Sequence, residues 1–146
     1  GGSGPKEEEL KAQAADMDNV EFRGYLEEAE KRELLGSAKA LVYAAVNEDF
    51  GMVPIEAYAS GTPVVGVRDG YTKYQIRDGD TGILYDRGVD SLANAIQRFK
   101  DEGVTASAED LVKVAQNYGM ERFRKEIREA VETAVNRARI TAAPEL

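Results

Sequence analysis

The chain has 146 residues, with 27 Asp and Glu against 19 Lys and Arg, a formal net charge of -8, and neither cysteine nor histidine. That length fits one domain, and the missing residue types exclude Cys/His zinc sites, thiol nucleophiles, disulfides and Ser-His-Asp triads. The acidic balance argues against a nucleic-acid groove, and no apolar run approaches the roughly 20 residues that span a bilayer.

Gly1-Gly2-Ser3-Gly4-Pro5 reads either as an appended tag or as a native glycine-rich turn, in which Pro5 would open a helix. A helix is expected over residues 5–15, acidic in its first turn as the helix dipole favours. Val20-Glu21-Phe22-Arg23 alternates apolar and polar residues and breaks at Gly24, the pattern of a short strand. Residues 27–37 read as a helix with Ala29, Leu34 and Leu35 inward. The continuous apolar run Leu41-Val42-Tyr43 predicts a strand buried on both faces. A polar loop from Asn47 to Met52 leads into a short helix over residues 54–60, closed by Gly61. Residues 63–67 form the next expected strand, and Gly79 and Gly82 bracket a turn before Ile83-Leu84-Tyr85.

Three helices follow, over residues 90–102, 107–117 and 119–138. In the last, Phe123, Ile127, Ala130, Val131, Ala134, Val135 and Ala138 make one apolar stripe. Its other faces carry Arg122, Arg124, Arg128, Glu129 and Glu132, read as a solvated face or as a partner surface. Strands separated by helices imply parallel βαβ units in a right-handed, doubly wound α/β sheet.

Ligands of an open parallel sheet bind beyond the carboxyl ends of its strands. Two loops qualify: Glu48-Asp49-Phe50-Gly51-Met52 and Arg68-Asp69-Gly70-Tyr71-Thr72-Lys73-Tyr74. The first feeds a helix, so its N–H groups near Gly51, Met52 and Val53 offer an anion site, and Gly51 admits close approach. Glu48 and Glu56 are expected to face one cavity, where carboxylates suit hydroxyl-rich ligands. An acid pair at a helix start is also the ordinary complement of the helix dipole. Phosphate toward the N–H groups and hydroxyls toward the carboxylates would describe a nucleotide-sugar.

Several segments in order carry a resemblance. They are Asn19–Tyr25, Leu34–Tyr43, Glu48-Asp49-Phe50-Gly51-Met52-Val53-Pro54-Ile55-Glu56-Ala57, Ser60-Gly61-Thr62-Pro63-Val64-Val65-Gly66 and Asp80-Thr81-Gly82-Ile83-Leu84. Together they resemble the donor-binding half of the retaining GT-B glycosyltransferases of group 1, the GT4 family. At the centre stands a Glu-x7-Glu motif, Glu48 and Glu56 with seven residues between them.

The resemblance implies a Rossmann-like parallel sheet flanked by helices, the C-terminal half of a GT-B fold over residues 1–138, with residues 139–146 as a tail. It implies that Glu48 is catalytic and bonds the donor sugar hydroxyls, while Asp49, Phe50, Gly51, Met52 and Val53 bind sugar and diphosphate. Glu56 would hold the ribose, and Tyr25 and Leu26 would lie near the nucleobase. Gly70 and Tyr71 would contribute from the second loop. No bound metal or other cofactor is implied; the nucleotide-diphosphate sugar is the substrate. The reaction would move a hexose, leaning toward mannose, to a glycan or lipid-linked acceptor. A cytoplasmic enzyme, peripheral to the membrane at full length, is expected.

Departures matter as much. Ala44 and Ala45 replace the usual Pro-Ser pair, and Gly70-Tyr71-Thr72-Lys73-Tyr74 keeps one Gly of the family's Gly-Gly-x-x-Glu. Tyr71 and Tyr74 read also as loop packing. The family's first βαβ unit, with its Gly-Arg and Lys-Gly pairs for the diphosphate, is not matched, nor is the N-terminal acceptor domain; Gly1–Glu7 matches the turn that would follow. The chain alone is therefore expected not to turn over, and a truncated sheet edge to self-associate. The C-terminal helix, which in the family crosses toward the N-terminal domain, is the other expected interface. A non-catalytic nucleotide-binding or assembly module is the alternative. An epimerase or phosphorylase is disfavoured by the lack of histidine and of a cofactor-lysine motif.

Overall fold

A computed structural model describes residues 1–141, with side chains to residue 138. Its elements, in chain order, are α1 (Glu7–Gln13), α2 (Glu28–Ser37), β1 (Leu41–Tyr43), α3 (Met52–Ala59), β2 (Val64–Val67), α4 (Thr72–Gln75) and β3 (Gly82–Tyr85), then α5 (Val89–Glu102), α6 (Ala108–Gln116) and α7 (Met120–Thr141). The sheet is parallel in the order β1-β2-β3, Leu41 pairing with Val64 and Val64 with Gly82. The parallel α/β architecture expected from the alternating pattern is thus present. The strand order runs without the reversal that double winding requires, among the described residues.

Side chains of a strand alternate between faces, so β2 and β3 feed two cores. Val64 and Leu84 join Leu35, Ile55, Tyr58 and Leu111 on the side of α3 and α6. Val65, Val67, Ile83 and Tyr85 join Ala95 of α5 on the other. Helices cover both faces, which is why Val64-Val65-Gly66-Val67 and Gly82-Ile83-Leu84-Tyr85 are buried throughout. Tyr58 is fully buried, and its hydroxyl donates to Thr81 Oγ1 at 3.0 Å. Ser107 and Asp110 form a reciprocal capping box that starts α6.

Four expectations are corrected. Residues 20–23 are not a strand: β1 is the end of the ladder, and without a neighbour's amides an alternating tetrapeptide remains irregular. Its Val20 and Phe22 stay exposed. β1 is an edge strand and not buried on both faces, with Val42 46% exposed. In α2 only Leu35 is buried, because the helix packs through a narrow seam on α3; Ala29 and Leu34 face outward.

The fourth concerns α7, which extends to Thr141, three residues into the expected tail; residues 142–146 lie outside the described residues. Its apolar stripe is exposed, Phe123 by 61%. Among the described residues no helix is long and apolar enough to cross a membrane.

Candidate functional site

The loops that leave β1, β2 and β3 converge at one end of the sheet, and charge holds them together. Asn47 turns the first loop sharply with a φ of 55°, and its backbone N–H donates to Asp69 Oδ1 at 2.7 Å. Arg87, beyond β3, donates to the other carboxylate oxygen through Nη2 at 2.6 Å and Nε at 3.0 Å. The Asn47 amide and the Arg87 guanidinium hold the Asp69 carboxyl below the ordinary aspartate value.

Gly70 then lies directly on the first loop. A Cβ there would stand 2.5 Å from Glu48 O and 2.7 Å from Glu48 N, and its φ of 48° lies in the left-handed region. The next residue, Tyr71, donates its N–H to Glu48 O at 2.8 Å. Both halves of the Glu48 backbone are therefore gripped by the second loop.

The Glu48 side chain is held as well. Its Oε2 accepts from Tyr43 Oη at 3.0 Å. Burial, with the bond to this carboxylate adding, pushes the Tyr43 phenol up to about 12. Tyr43 thus remains a proton donor to Glu48 across the neutral range.

Gly51 caps α3 with a φ of 76° and no side-chain bond to the helix start. The N–H groups of Met52 and Val53 open α3 at the positive end of its dipole, the arrangement that receives an anion. Met52 and Val53 are exposed, whereas Gly51 is buried against the Tyr43, Glu48 and Gln75 side chains, so the close approach expected at this glycine is taken up by the protein itself. Asp49 is exposed beside them. Phe50 turns its ring away, stacking on Tyr71 at 5.5 Å between centroids and meeting Tyr118 edge-on at 5.6 Å. Packing is therefore what Tyr71 does here, together with its backbone bond to Glu48.

Glu56 lies one turn into α3. Its Oε1 accepts from Lys31 Nζ at 3.2 Å, while Lys31 also meets Glu28 at 2.8 Å. Bonds to Glu28 and then Glu56 raise the Lys31 ammonium above its ordinary value. The second carboxylate oxygen, Oε2, is buried without a partner. Glu56 borders a cavity of about 290 Å³, lined also by Glu28, Lys31, Arg32, Leu35 and Ser60. The two carboxylates and two cations of this lining suit a ligand rich in hydroxyls.

The two carboxylates do not share this cavity. Glu48 is not among its lining residues, being drawn toward Tyr43 instead. The spacing placed Glu56 one turn along the helix, but the non-helical Asn47–Gly51 loop sets the direction of Glu48. Tyr25 and Leu26 do not line it either; Tyr25 is 76% exposed, and Leu26 packs toward Gly1.

Three polar residues at the site escaped sequence reasoning. Lys31 and Arg32 carry no signal within the helix over residues 27–37, and only the docking of α2 on α3 brings them to the cavity at Glu56. Gln75 sits in a short helix that interrupts what read as a loop. Its side chain donates from Nε2 to Phe50 O at 2.6 Å and Gly51 O at 3.1 Å. A polar residue next to the apolar Ile76 was the only available signal.

Known proteins are similar to this chain in sequence and in fold. The D-inositol 3-phosphate glycosyltransferase of Acidothermus cellulolyticus is 36% identical over 118 residues, 77% of this chain and 25% of the relative. The phosphatidyl-myo-inositol mannosyltransferase of Mycobacterium leprae is 36% identical over 116 residues, 70% of this chain and 30% of that protein. The chain thus spans a quarter to a third of the length of these relatives. Among solved structures, sucrose-phosphate synthase from Thermosynechococcus elongatus superposes with a TM-score of 0.76 at 25% identity, over 93% of this chain and 37% of that one. Anabaena HepE in complex with UDP-glucose gives 0.68 at 20% identity, over 89% and 38%, a likeness of fold. The description "Glycosyl transferases group 1" matches residues 1–118, from the glycine-rich start through α6 and including both site loops. The chain belongs to the group 1 family of glycosyltransferases, and its fold is the α/β fold of GT-B glycosyltransferases.

Proposed function

We propose that the chain binds the donor for a retaining glycosyltransferase, which moves a hexose from a nucleotide-diphosphate sugar to a glycan or lipid-linked acceptor. The observation that carries this reading is the uncapped start of α3, flanked by Glu48 under the Tyr43 hydroxyl and by Glu56 at a cavity it shares with Lys31 and Arg32. In it the diphosphate meets the Met52 and Val53 amides, sugar hydroxyls meet Glu48, and ribose hydroxyls meet Glu56. The leaving diphosphate gains charge as the glycosidic bond breaks, and preoriented N–H groups stabilise that charge without reorganising. No resident metal is needed for this part of the chemistry.

Mannose is the proposed hexose. The resemblance around the Glu48–Glu56 segment supports it, as does a mannosyltransferase among the relatives. The full-length enzyme would be cytoplasmic and peripheral to the membrane. The present residues alone are not expected to turn over, because the helix start stands open to water, with Met52 62% exposed, and a donor needs a closed cleft. The exposed edge of β1 and the bare stripe of α7 support a second reading, an assembly module that self-associates through the sheet edge.

Titration with GDP and UDP tests the main reading. The unsubstituted chain should bind one of them, and Glu56→Ala should weaken that binding about tenfold, the worth of a lost charge-assisted hydrogen bond. No binding at millimolar nucleotide, together with association across a concentration series, would leave only the assembly module.

A further inference from the structure

We infer that Gln75 is a positioning residue of the donor loop, a role that rests on the nucleotide-sugar reading above. Gln75 is 4% exposed. The two N–H groups of its side-chain amide reach consecutive backbone carbonyls, Phe50 O at 2.6 Å and Gly51 O at 3.1 Å.

The need for such a clamp is written in the chain itself. Phe50 precedes the Gly51 cap, so its carbonyl lies outside the α3 ladder and needs a donor from elsewhere. Gln75 supplies that donor from α4. A trans peptide is planar, so its N–H points opposite to its C=O. Drawing the carbonyls of Phe50 and Gly51 toward Gln75 therefore aims the N–H groups of Gly51 and Met52 away from it. These are amides at the uncapped start of α3.

Packing alone does not explain the residue. A buried amide is costly unless all its polar atoms are bonded, and Gln75 Oε1 has no partner. It lies 3.4 Å from where a Cβ on Gly51 would stand, with Tyr43 Oη at 3.4 Å and Glu48 Cγ at 3.2 Å on other sides. Polar groups of Tyr43 and Gln75 and the Glu48 side chain close on Gly51, whose φ of 76° favours glycine. An apolar side chain would fill the same space but would take this donor from the Phe50 and Gly51 carbonyls. The amide is retained at the point where the loop must hold one conformation.

The test compares a nucleoside diphosphate with its nucleoside, for the unsubstituted chain, Gln75→Leu and Gln75→Met. Calorimetric titration with GDP, UDP, guanosine and uridine reads affinity, and amide hydrogen exchange by NMR reads Gly51 and Met52 without any ligand. Both variants should bind the diphosphate about tenfold more weakly, bind the nucleoside unchanged, and exchange the two amides faster. Parallel losses for diphosphate and nucleoside, unaltered diphosphate affinity, or unaltered exchange would each overturn the role. So would loss of cooperative thermal unfolding in both variants, which would assign the side chain to the scaffold. An unsubstituted chain that binds no nucleotide overturns the donor reading and this role together. A failure confined to Gln75 shows instead as normal binding by the unsubstituted chain and the variants alike.

Discussion

Gly70→Ala probes the contact on which the site's geometry depends. Two separate costs arise. At a φ of 48° an L-residue carries a left-handed penalty of about 1–2 kcal/mol. The new methyl would stand 2.5 Å from Glu48 O and 2.7 Å from Glu48 N, and relieving overpacking of this kind costs about 1–3 kcal/mol. The sum is about 2–5 kcal/mol, a large share of the stability expected for a domain of this size. With a urea slope of about 2 kcal/mol/M, the unfolding midpoint should fall by about 1–2.5 M. Gly24→Ala is the control, since Gly24 has a φ of 62° with nothing within 4 Å of the added Cβ. It carries the conformational penalty without the collision, so the difference between the two variants reads the contact with Glu48. A Gly70→Ala midpoint equal to that of Gly24→Ala would refute the claim that the second loop is seated on the Glu48 backbone.

Further outcomes follow from the same geometry. Tyr43→Phe removes the hydroxyl that orients Glu48; in the full-length enzyme kcat should fall about tenfold while nucleoside diphosphate affinity is kept, and an unchanged kcat would separate Tyr43 from the chemistry. Tyr58→Phe removes one of two donors to Thr81 Oγ1, which keeps the Arg77 N–H at 3.0 Å, and urea unfolding should show a loss of about 1 kcal/mol. Asp110, bonded by Ser107 and Lys113, has its carboxyl lowered from 3.8 to about 2. A depressed carboxyl contributes stability above its unfolded value and loses it as pH falls through the folded one. The melting gap between the chain and Asp110→Ala should therefore be full above pH 4 and close toward pH 2, and a gap independent of pH would remove the capping box as its cause. Chelator added to the full-length enzyme should leave transfer intact, and inhibition reversed by a divalent cation would contradict a diphosphate held by amides alone.

Much of the fold was legible because the signals are local. Pro in a first turn, Gly past a helix end and the apolar stripes placed six helices to within two or three residues. Continuous apolar runs located β1, β2 and β3. Residues 20–23 carry as good an alternating pattern as many strands, yet form none, because a strand exists only through a partner's amides. The short α4 was missed for the opposite reason: Thr72-Lys73-Tyr74-Gln75 is too brief for a period to show, and its burial against β2 decides it.

The site divides in the same way. The sequence alone determined the parallel α/β class, the family, and the loop that leads Glu48 into an amide-rich helix start, since each depends on residue type and spacing along one segment. Tertiary structure alone decided the partners: Tyr43 on Glu48, Lys31 on Glu56, Gly70 on the Glu48 backbone and Gln75 on the Phe50 and Gly51 carbonyls. Each joins residues from different elements. Which side chain meets which carbonyl is set by how helices and loops dock on a common sheet, and no pattern within a single segment encodes that.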